Sequence, residues 1–230
     1  MLKIKVLTIF PEMFPGFLGY SLTGKALEDK LWQIDAINIR DYAFDKHKSV
    51  DDTPCGGGAG MIMRPDVLSR AIEANHQQGR IIYMSPKGVP LTQKKAHELS
   101  LEKELTIICG RFEGIDERVI EAYNIEEISI GDYILTGGEQ AAQIMLDAVV
   151  RLLPGVLGNE DSLKDESFEN YLLEYPQYTR PIEWAGRSVP EVLISGHHQK
   201  IEDWRRQKAI DATKAKRPDL YKIYLDSKKS

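Results

Sequence analysis

The length, composition and charge of this 230-residue chain exclude several classes of protein. Apolar residues make up 42% and charged residues 28%, which is typical of a packed globule rather than a disordered chain. No run approaches the roughly 18 consecutive apolar residues of a membrane span, and two cysteines without a CxxC pair provide no disulfide framework. The N-terminal residues predict a first strand rather than a signal peptide, so we expect a cytoplasmic enzyme or binding protein.

Apolar runs alternate with helical patterns along the first two thirds of the chain. In chain order, the periodicity predicts strand 3–10, helix 21–30 with Ser21 as N-cap, strand 32–39, a long Gly-rich loop 40–63, helix 65–78 begun by Pro65, strand 80–84, helix 92–100, strand 105–109, a short helix after Asp116, strand 127–130 and helix 139–153. Strands that alternate with helices form a parallel sheet covered by helices. The sequence therefore predicts an α/β fold.

The chain changes character after Pro154. Residues 155–170 carry five acidic side chains against one lysine and show little periodicity, which indicates a linker or loop. From residue 171 onward the pattern predicts a small helical module with an apolar stripe that includes Ile201 and Trp204. Residues 197–230 hold ten lysines and arginines against five acids, a local +5 in a chain of net charge −5. This asymmetry indicates either a basic module that docks on a polyanion or a solvated surface helix with a lysine-rich tail.

Three short motifs are weak indicators by themselves. Residues 19–26, GYSLTGKA, lack the hydroxyl that a P-loop needs after its lysine, and Gly24 and Lys25 fall inside a predicted helix. Residues 56–60, GGGAG, lack the third glycine of a dinucleotide fingerprint, so they predict a turn whose backbone can approach a ligand. His197 and His198 have no third ligand at zinc-like spacing, which favours a helix-start hydrogen bond or an RNA contact over a metal site.

Glycine-bearing turns follow three of the predicted strands. They are residues 84–88 (MSPKG), 110–114 (GRFEG) and 131–138 (GDYILTGG). In open parallel sheets, ligands bind beyond the carboxyl ends of the strands. The turns therefore predict one pocket in which backbone groups contact a ligand such as an adenine edge, and the alternative is three ordinary tight turns.

The residues within and around these turns resemble one family. Residues 109–118, CGRFEGIDER, and 129–139, SIGDYILTGGE, closely resemble the bacterial tRNA (guanine-N1)-methyltransferases of the knotted SPOUT class, the TrmD family. Similar segments follow the family's order along nearly the whole chain: 7–14, LTIFPEMF; 56–61, GGGAGM; 154–158, PGVLG; 178–181, YTRP; and 195–198, SGHH. Several long motifs in the right order are far more specific than any single pattern.

The resemblance implies a fold, a cofactor and partners. It implies a parallel sheet with a deep trefoil knot, although knots are so rare that physics alone would predict none. It also implies a homodimer whose active site is shared between subunits.

The resemblance divides the chain into a SPOUT cofactor-binding domain (1–156), an interdomain linker (157–170) and a small helical C-terminal domain (171–230) that clamps the tRNA anticodon arm. The expected tRNA contacts are His197, His198, Lys200, Arg205, Arg206 and Lys208. The residues expected to hold S-adenosylmethionine are Ser85, Pro86, Gly88, Gly110, Glu113, Ile130, Gly131, Asp132, Tyr133, Ile134, Leu135, Gly137 and Gly138.

The implied reaction is methyl transfer to N1 of the guanine 3′-adjacent to the anticodon, at tRNA position 37. In the family, a linker Asp just before Ser-Phe is the proposed general base, helped by an Arg at the end of the preceding helix, and Arg151 matches that arginine. Residues 164–168 here read KDESF, so Glu166 occupies the catalytic position and Asp165 is the alternative base. Tyr171 stands where the family usually carries Gly. The resemblance also implies magnesium dependence, with Glu113 as a contact for the ion or the substrate.

Other interpretations of the same residues remain. In the first of these interpretations, the linker acids are solvated charges without a catalytic role. Another is a SPOUT RNA methyltransferase of different site specificity, and a third is a non-catalytic tRNA-binding protein that has lost the base. Activity that ignores the guanine beside the anticodon would indicate the second, and tRNA binding without methyl transfer would indicate the third.

Overall fold

A computed structural model describes residues 1–158 and 166–229 of the chain. The chain divides into two compact units, Met1–Gly158 and Asn159–Ser230. Seven strands lie in the first unit: β1 (Leu2–Thr8), β2 (Trp32–Asn38), β3 (Asp51–Asp52), β4 (Ile62–Met63), β5 (Arg80–Pro90), β6 (Glu104–Ile108) and β7 (Glu126–Ser129). Its helices are α1 (Ser21–Glu28), α2 (Pro65–Asn75), α3 (Gln93–Ser100), α4 (Glu117–Ala122) and α5 (Gly138–Val150), with short 3-10 turns at Pro11–Met13, Gly16–Gly19 and Ile39–Tyr42.

A five-stranded sheet in the order β2-β1-β6-β5-β7 forms the centre of the first unit. Every neighbouring pair in it is parallel. The predicted α/β fold with a parallel sheet is therefore confirmed. β3 and β4 form a separate antiparallel pair within the long loop predicted at 40–63.

Helices cover both faces of this sheet, so the central strand β6 is buried at every residue. Side chains alternate between the two faces: Leu105 and Ile107 of β6 pack into one core cluster with α1, α3 and α5, while Ile108 packs into the other with α2 and α4. Continuous apolar runs are typical of parallel strands covered on both sides. Pro65 opens α2 as predicted, where its missing N–H costs no hydrogen bond.

Two local predictions were wrong. Tyr20 is the N-cap of α1, and its carbonyl accepts the hydrogen bond from the N–H of Gly24, while Ser21 begins the helix with φ +54° and its side chain caps nothing. Strand β5 does not end near Met84 but continues to Pro90. Ile128 of β7 pairs first with Met84 and again with Val89, so residues 85–88 leave the ladder as a bulge before the strand resumes.

The described part of the second unit, residues 166–229, is mostly helical. It contains a 3-10 turn (Glu169–Tyr171), a two-stranded hairpin of β8 (Glu183–Trp184) and β9 (Arg187–Ser188), and the helices α6 (Glu191–Ile194), α7 (His198–Lys216) and α8 (Pro218–Ser227). Ala209, Thr213 and Tyr224 form its buried centre. Thr213 Oγ1 accepts a 2.8 Å hydrogen bond from the backbone N–H of Leu173 and donates one of 2.7 Å to the carbonyl of Ala209. Among the described residues of the chain, no helix is long and apolar enough to cross a membrane.

Candidate active site

A cavity of about 230 Å³ lies at the carboxyl ends of β6 and β7 and beside the bulge in the middle of β5. The carboxyl edge of a parallel sheet is where ligands bind. The cavity is formed by residues of β5 at the start of its bulge, the turn after β6, and the segment from β7 to α5. Its lining residues are 83–86, 110–114, 128–131 and 133–138. The three turns that the sequence singled out therefore meet at one site.

Missing side chains allow the walls of this cavity to approach one another. A Cβ on Gly110 would lie 2.6 Å from the ring of Tyr83. A Cβ on Gly138 would lie 2.9 Å from the Cα of Cys109, and the N–H of Gly138 donates a 2.9 Å hydrogen bond to the carbonyl of Gly110. Glycine at these positions lets the start of α5 pack directly against the turn after β6.

The Gly-rich segment 56–60 contacts the same region from outside. A Cβ on Gly60 would lie 2.5 Å from the carboxylate of Glu113. The backbone N–H of Glu113 donates a 2.9 Å hydrogen bond to the carbonyl of Met61, and Met63 bridges to Ile115. This segment is therefore attached to the turn after β6 rather than to the end of a strand.

Burial changes the acid–base behaviour of two groups beside the cavity. It raises the pKa of Tyr83 to about 12, and the negative charge of Glu127 contributes in the same direction. Burial also raises the pKa of the Cys109 thiol well above its usual range, and Glu139 adds to this effect. Tyr83 is therefore a neutral hydroxyl, and Cys109 a neutral thiol, at physiological pH.

We expect Tyr83→Phe to flatten the alkaline stability profile. The phenol ionises near pH 10 in the unfolded chain and near 12 in the folded one, so its contribution to stability is complete below pH 10 and is lost as pH rises toward 12. At pH 11 the wild type should have lost about 1.4 kcal/mol of unfolding free energy through this group. Urea denaturation of the wild type and of Tyr83→Phe at pH 9 and pH 11 measures this loss of unfolding free energy. A wild-type-minus-variant difference that is equal at both pH values would contradict the assignment.

Comparison with known proteins identifies the family. A family model described as tRNA (guanine-1)-methyltransferase TrmD matches residues 2–223. A Bartonella quintana protein named tRNA (guanine-N(1)-)-methyltransferase is 60% identical over 222 residues, which cover 96% of each chain. A Rhodospirillum rubrum protein of the same name is 56% identical over 230 residues, covering 100% of this chain and 96% of the relative. A similarly named Pelagibacter ubique protein is 56% identical over 225 residues, covering 97% of this chain and 99% of the relative.

The chain belongs to the TrmD tRNA (guanine-1)-methyltransferase family. The cavity brings together most of the residues expected to hold the family's cofactor: Ser85, Pro86, Gly110, Glu113, Ile130, Gly131, Tyr133, Ile134, Leu135, Gly137 and Gly138. Gly88 and Asp132 do not line it. Gly88 lies in the β5 bulge with its Cα against the backbone of Glu127, and Asp132 lies exposed in the segment after β7.

Several residues that line the cavity were not predicted from the sequence, and Arg111 is one of them. Its Nε donates a 2.9 Å hydrogen bond to Glu139 Oε2, and the Glu139 side chain is fully buried. Arg111 lies inside the motif that carried the resemblance. Glu139 lies in the first turn of α5, where an acid is common, so no local feature of the sequence indicated this buried pair. Tyr83, Phe112 and Thr136 also line the cavity and were not predicted.

The predicted catalytic residues occupy different parts of the chain. Arg151 is the half-buried C-cap of α5 in the first unit, and its backbone N–H donates to the carbonyl of Asp147. Glu166 is half-buried in the second unit. Asp165 lies outside the described residues. Tyr171 adopts φ +62°, a left-handed conformation that favours glycine and costs a tyrosine roughly 1–2 kcal/mol.

The predicted tRNA contacts lie on one helix of the second unit. His197 is the N-cap of α7, and His198, Lys200, Arg205, Arg206 and Lys208 lie along it. All are exposed except Arg205, which is half-buried with its guanidinium carbon 5.0 Å from the centre of the Tyr175 ring. Arg205 and Arg206 also line a cavity of about 550 Å³ within this unit, together with Tyr175, Tyr224 and Lys228. Cations beside aromatic rings are the side chains that RNA-binding surfaces use.

Proposed function

We propose that this protein transfers the methyl group of S-adenosylmethionine to N1 of the guanine 3′-adjacent to the tRNA anticodon. One observation carries the proposal: a collinear match to the family over residues 2–223, with relatives of 56–60% identity named tRNA (guanine-N(1)-)-methyltransferase. The position of the cavity at the carboxyl edge of the sheet supports it independently. A tRNA substrate makes the cytoplasm the expected location of the reaction.

The residues that line the cavity fit S-adenosylmethionine. Glycines such as Gly110, Gly131 and Gly137 bring the backbone itself to the cavity walls, and backbone N–H and C=O groups are the partners that fix a ligand's orientation in such sites. Tyr133 and Ile134 are 53% and 80% exposed beside it, which leaves apolar surface for the ring and methylene groups. Arg111 is paired with the buried Glu139, while Glu113 adds an acid to the wall, so the lining suits a ligand that carries positive charge better than a polyphosphate. When bound, this cofactor supplies a methyl group on a positively charged sulfur.

Gly138→Ala is expected to weaken S-adenosylmethionine binding by roughly 5- to 100-fold. The new methyl group would lie 2.9 Å from the Cα of Cys109 and 3.0 Å from the N of Gly110. These are backbone atoms that no rotamer change can move, so overpacking should cost about 1–3 kcal/mol, and each 1.4 kcal/mol is tenfold in affinity. Isothermal titration with the cofactor measures the loss. Gly158→Ala is the matched control because no atom lies within 4 Å of its Cβ position, and equal affinity of both variants would contradict this packing.

The chain's own residues must remove a proton from guanine and stabilise the charge left behind. Guanine N1 carries a lactam proton and is a poor nucleophile until that proton leaves. We propose that Glu166 accepts it, a step that contributes roughly 10²–10⁴-fold. The charge then moves to O6, and Arg151 supplies a guanidinium directed at that oxygen. Asp165 is the alternative base, because Glu reaches about 1.5 Å further than the family's Asp and misplacement of about 1 Å matters.

We further propose that the second unit binds the anticodon arm through α7. His197, His198, Lys200, Arg206 and Lys208 expose donors along it, and the local charge of +5 over residues 197–230 favours a polyanion. The proposed division is a cofactor-binding domain (1–156), a linker (157–170) and a helical tRNA-binding domain (171–230), and the separation into units at Gly158 supports it. The family's trefoil knot belongs to the first of these domains.

A homodimer with a shared active site is also proposed. Exposed apolar side chains on neighbouring elements of the first unit support it. Phe17, Tyr20 and Leu22 lie in the Gly16–Gly19 turn and the start of α1, and Ile144 lies on α5, which packs against that turn. Clusters of large exposed apolar side chains mark association sites. Sedimentation equilibrium should give twice the 26.1 kDa chain mass, and a monomer at micromolar concentration would contradict the proposal.

Magnesium is the least supported part of the proposal. Within residues 1–158 and 166–229, no group of three His, Cys, Asp or Glu side chains is placed to hold a metal ion. We therefore assign no metal ligands and no step to magnesium, and Glu113 remains the residue that the family resemblance indicates. Full activity in the presence of a chelator would show that the reaction does not require magnesium.

A pair of tRNA transcripts tests the proposed specificity. The first carries guanine 3′-adjacent to the anticodon and the second carries adenine there. With labelled S-adenosylmethionine, we expect methyl transfer to the first transcript only. Equal labelling of both transcripts would indicate a different RNA site, and cofactor and tRNA binding without labelling would indicate a binding protein.

A further inference from the structure

A buried carboxylate lies behind the cavity and takes no part in the proposed proton transfer. Glu139, in the first turn of α5, has no exposed surface. A buried carboxylate is costly unless its oxygens are paired, and both of them are. Oε1 accepts a 2.7 Å hydrogen bond from Thr8 Oγ1, and Oε2 accepts one of 2.9 Å from Arg111 Nε.

Arg111 extends this pairing to two further segments of the chain. Its Nη1 donates a 3.3 Å hydrogen bond to the carbonyl of Thr136. On the other side its guanidinium carbon lies 4.5 Å from the centre of the Phe10 ring, and Nη2 lies 3.6 Å from Met13 Sδ. The side chain also occupies the space beside Gly137, where any Cβ would collide with it. The guanidinium of Arg111, which belongs to the segment after β6, therefore contacts both the segment after β1 and the segment before α5.

Two of these three segments are walls of the cavity. Residues 110–114 form one wall and residues 133–138 form another, and Arg111 belongs to the first while holding Thr136 of the second. Glu139 fixes Arg111 from behind, and Thr8 fixes Glu139 to the end of β1. Only 17% of the Arg111 side chain is exposed.

We propose that Glu139 and Arg111 are a positioning pair that sets the spacing of the two cavity walls, so that affinity for S-adenosylmethionine depends on it. The proposal rests on the proposed function of the cavity. Stability alone is a weak reason for such a pair, because the cost of desolvating two charges commonly cancels their attraction and apolar residues fill the same volume as well or better. Arg111 acts here through the walls and is not assigned contact with the reacting atoms.

The pair can be tested without leaving a lone buried charge. Arg111→Met combined with Glu139→Gln removes both charges and keeps the volume nearly constant. We expect this double variant to fold and to bind S-adenosylmethionine at least tenfold more weakly in isothermal titration. In steady-state assays the KM for the cofactor should rise, with the KM for tRNA unchanged within threefold. Arg111→Lys keeps a positive charge beside Glu139 but loses the planar guanidinium that bonds Glu139 and Thr136 at the same time. Its cofactor affinity should therefore lie between those of the wild type and the double variant.

Arg118→Ala is the matched control. Arg118 lies in α4, seven residues further along the chain, and forms an ion pair with Asp116, its own side chain being 75% exposed. Its removal should leave cofactor affinity unchanged. A folded double variant with wild-type cofactor affinity would overturn the positioning role, and so would an equal rise of both KM values. If the wild type itself binds no S-adenosylmethionine, the proposed function fails instead, so the two failures are distinguishable.

Discussion

The Glu166→Ala variant is expected to methylate tRNA with kcat lowered by about 10²–10⁴-fold, while its affinity for S-adenosylmethionine stays within threefold of the wild type. Without this carboxylate, the proton on guanine N1 loses the acceptor that we assign to it, and proton transfer to water is a poor substitute. The affinity is expected to persist because Glu166 is absent from the cavity that we assign to the cofactor. Single-turnover methylation of a tRNA transcript, with cofactor titration in parallel, measures both quantities.

Two further substitutions identify the base. Asp165→Ala is the matched control one residue away, and it should retain at least one third of wild-type activity. Glu166→Asp restores the family's side chain at this position and should remain active. If Asp165→Ala is the inactive variant instead, the base is Asp165, and full activity of both alanine variants would leave the linker acids without a role in the chemistry.

Arg151→Ala is expected to lower kcat by about 10²–10³-fold, the usual cost of removing one donor from a developing oxyanion. The guanidinium would stabilise the charge that reaches O6 only after N1 has lost its proton, so the loss should fall on kcat rather than on the KM for tRNA. As the C-cap of α5, Arg151 lies where positive charge is also favourable to the helix. Activity and thermal stability are therefore measured on the same preparation.

Arg151→Lys separates charge from geometry. Lysine retains the positive charge but presents one ammonium in place of the planar fork, so partial activity between the wild type and Arg151→Ala is expected. A kcat for Arg151→Ala within threefold of the wild type would contradict the role, as would a loss explained entirely by unfolding.

Much of the first unit follows from periodicity because its central strand β6 is buried on both faces and its helices are amphipathic. The sheet was predictable from mainly apolar runs such as residues 105–109, and Pro65 marked the start of α2 through its fixed φ. The errors concern local details that periodicity does not specify. Tyr20 rather than Ser21 is the N-cap of α1, and β5 continues past Met84 because β7 provides a second set of partners after the bulge.

The candidate site was predictable in outline but not in its connections. Glycine-bearing turns after strands are visible in the sequence, and the edge of a parallel sheet brings them together. The contact between Arg111 and Glu139 joins residues 28 positions apart, and that between Thr8 and Glu139 joins residues 131 apart. No local pattern encodes such pairs. The catalytic assignments rest on the family resemblance, because deprotonation of guanine requires a general base whose position no periodicity specifies.

The central claim is methyl transfer to N1 of the guanine beside the anticodon. The most direct measurement is to incubate the protein with S-adenosylmethionine and an unmodified tRNA transcript, digest the product, and identify the methylated nucleoside and its position by mass spectrometry of the fragments. We expect 1-methylguanosine immediately 3′ of the anticodon and at no other position. A methyl group on a different atom, on a different nucleotide, or on none would contradict the account.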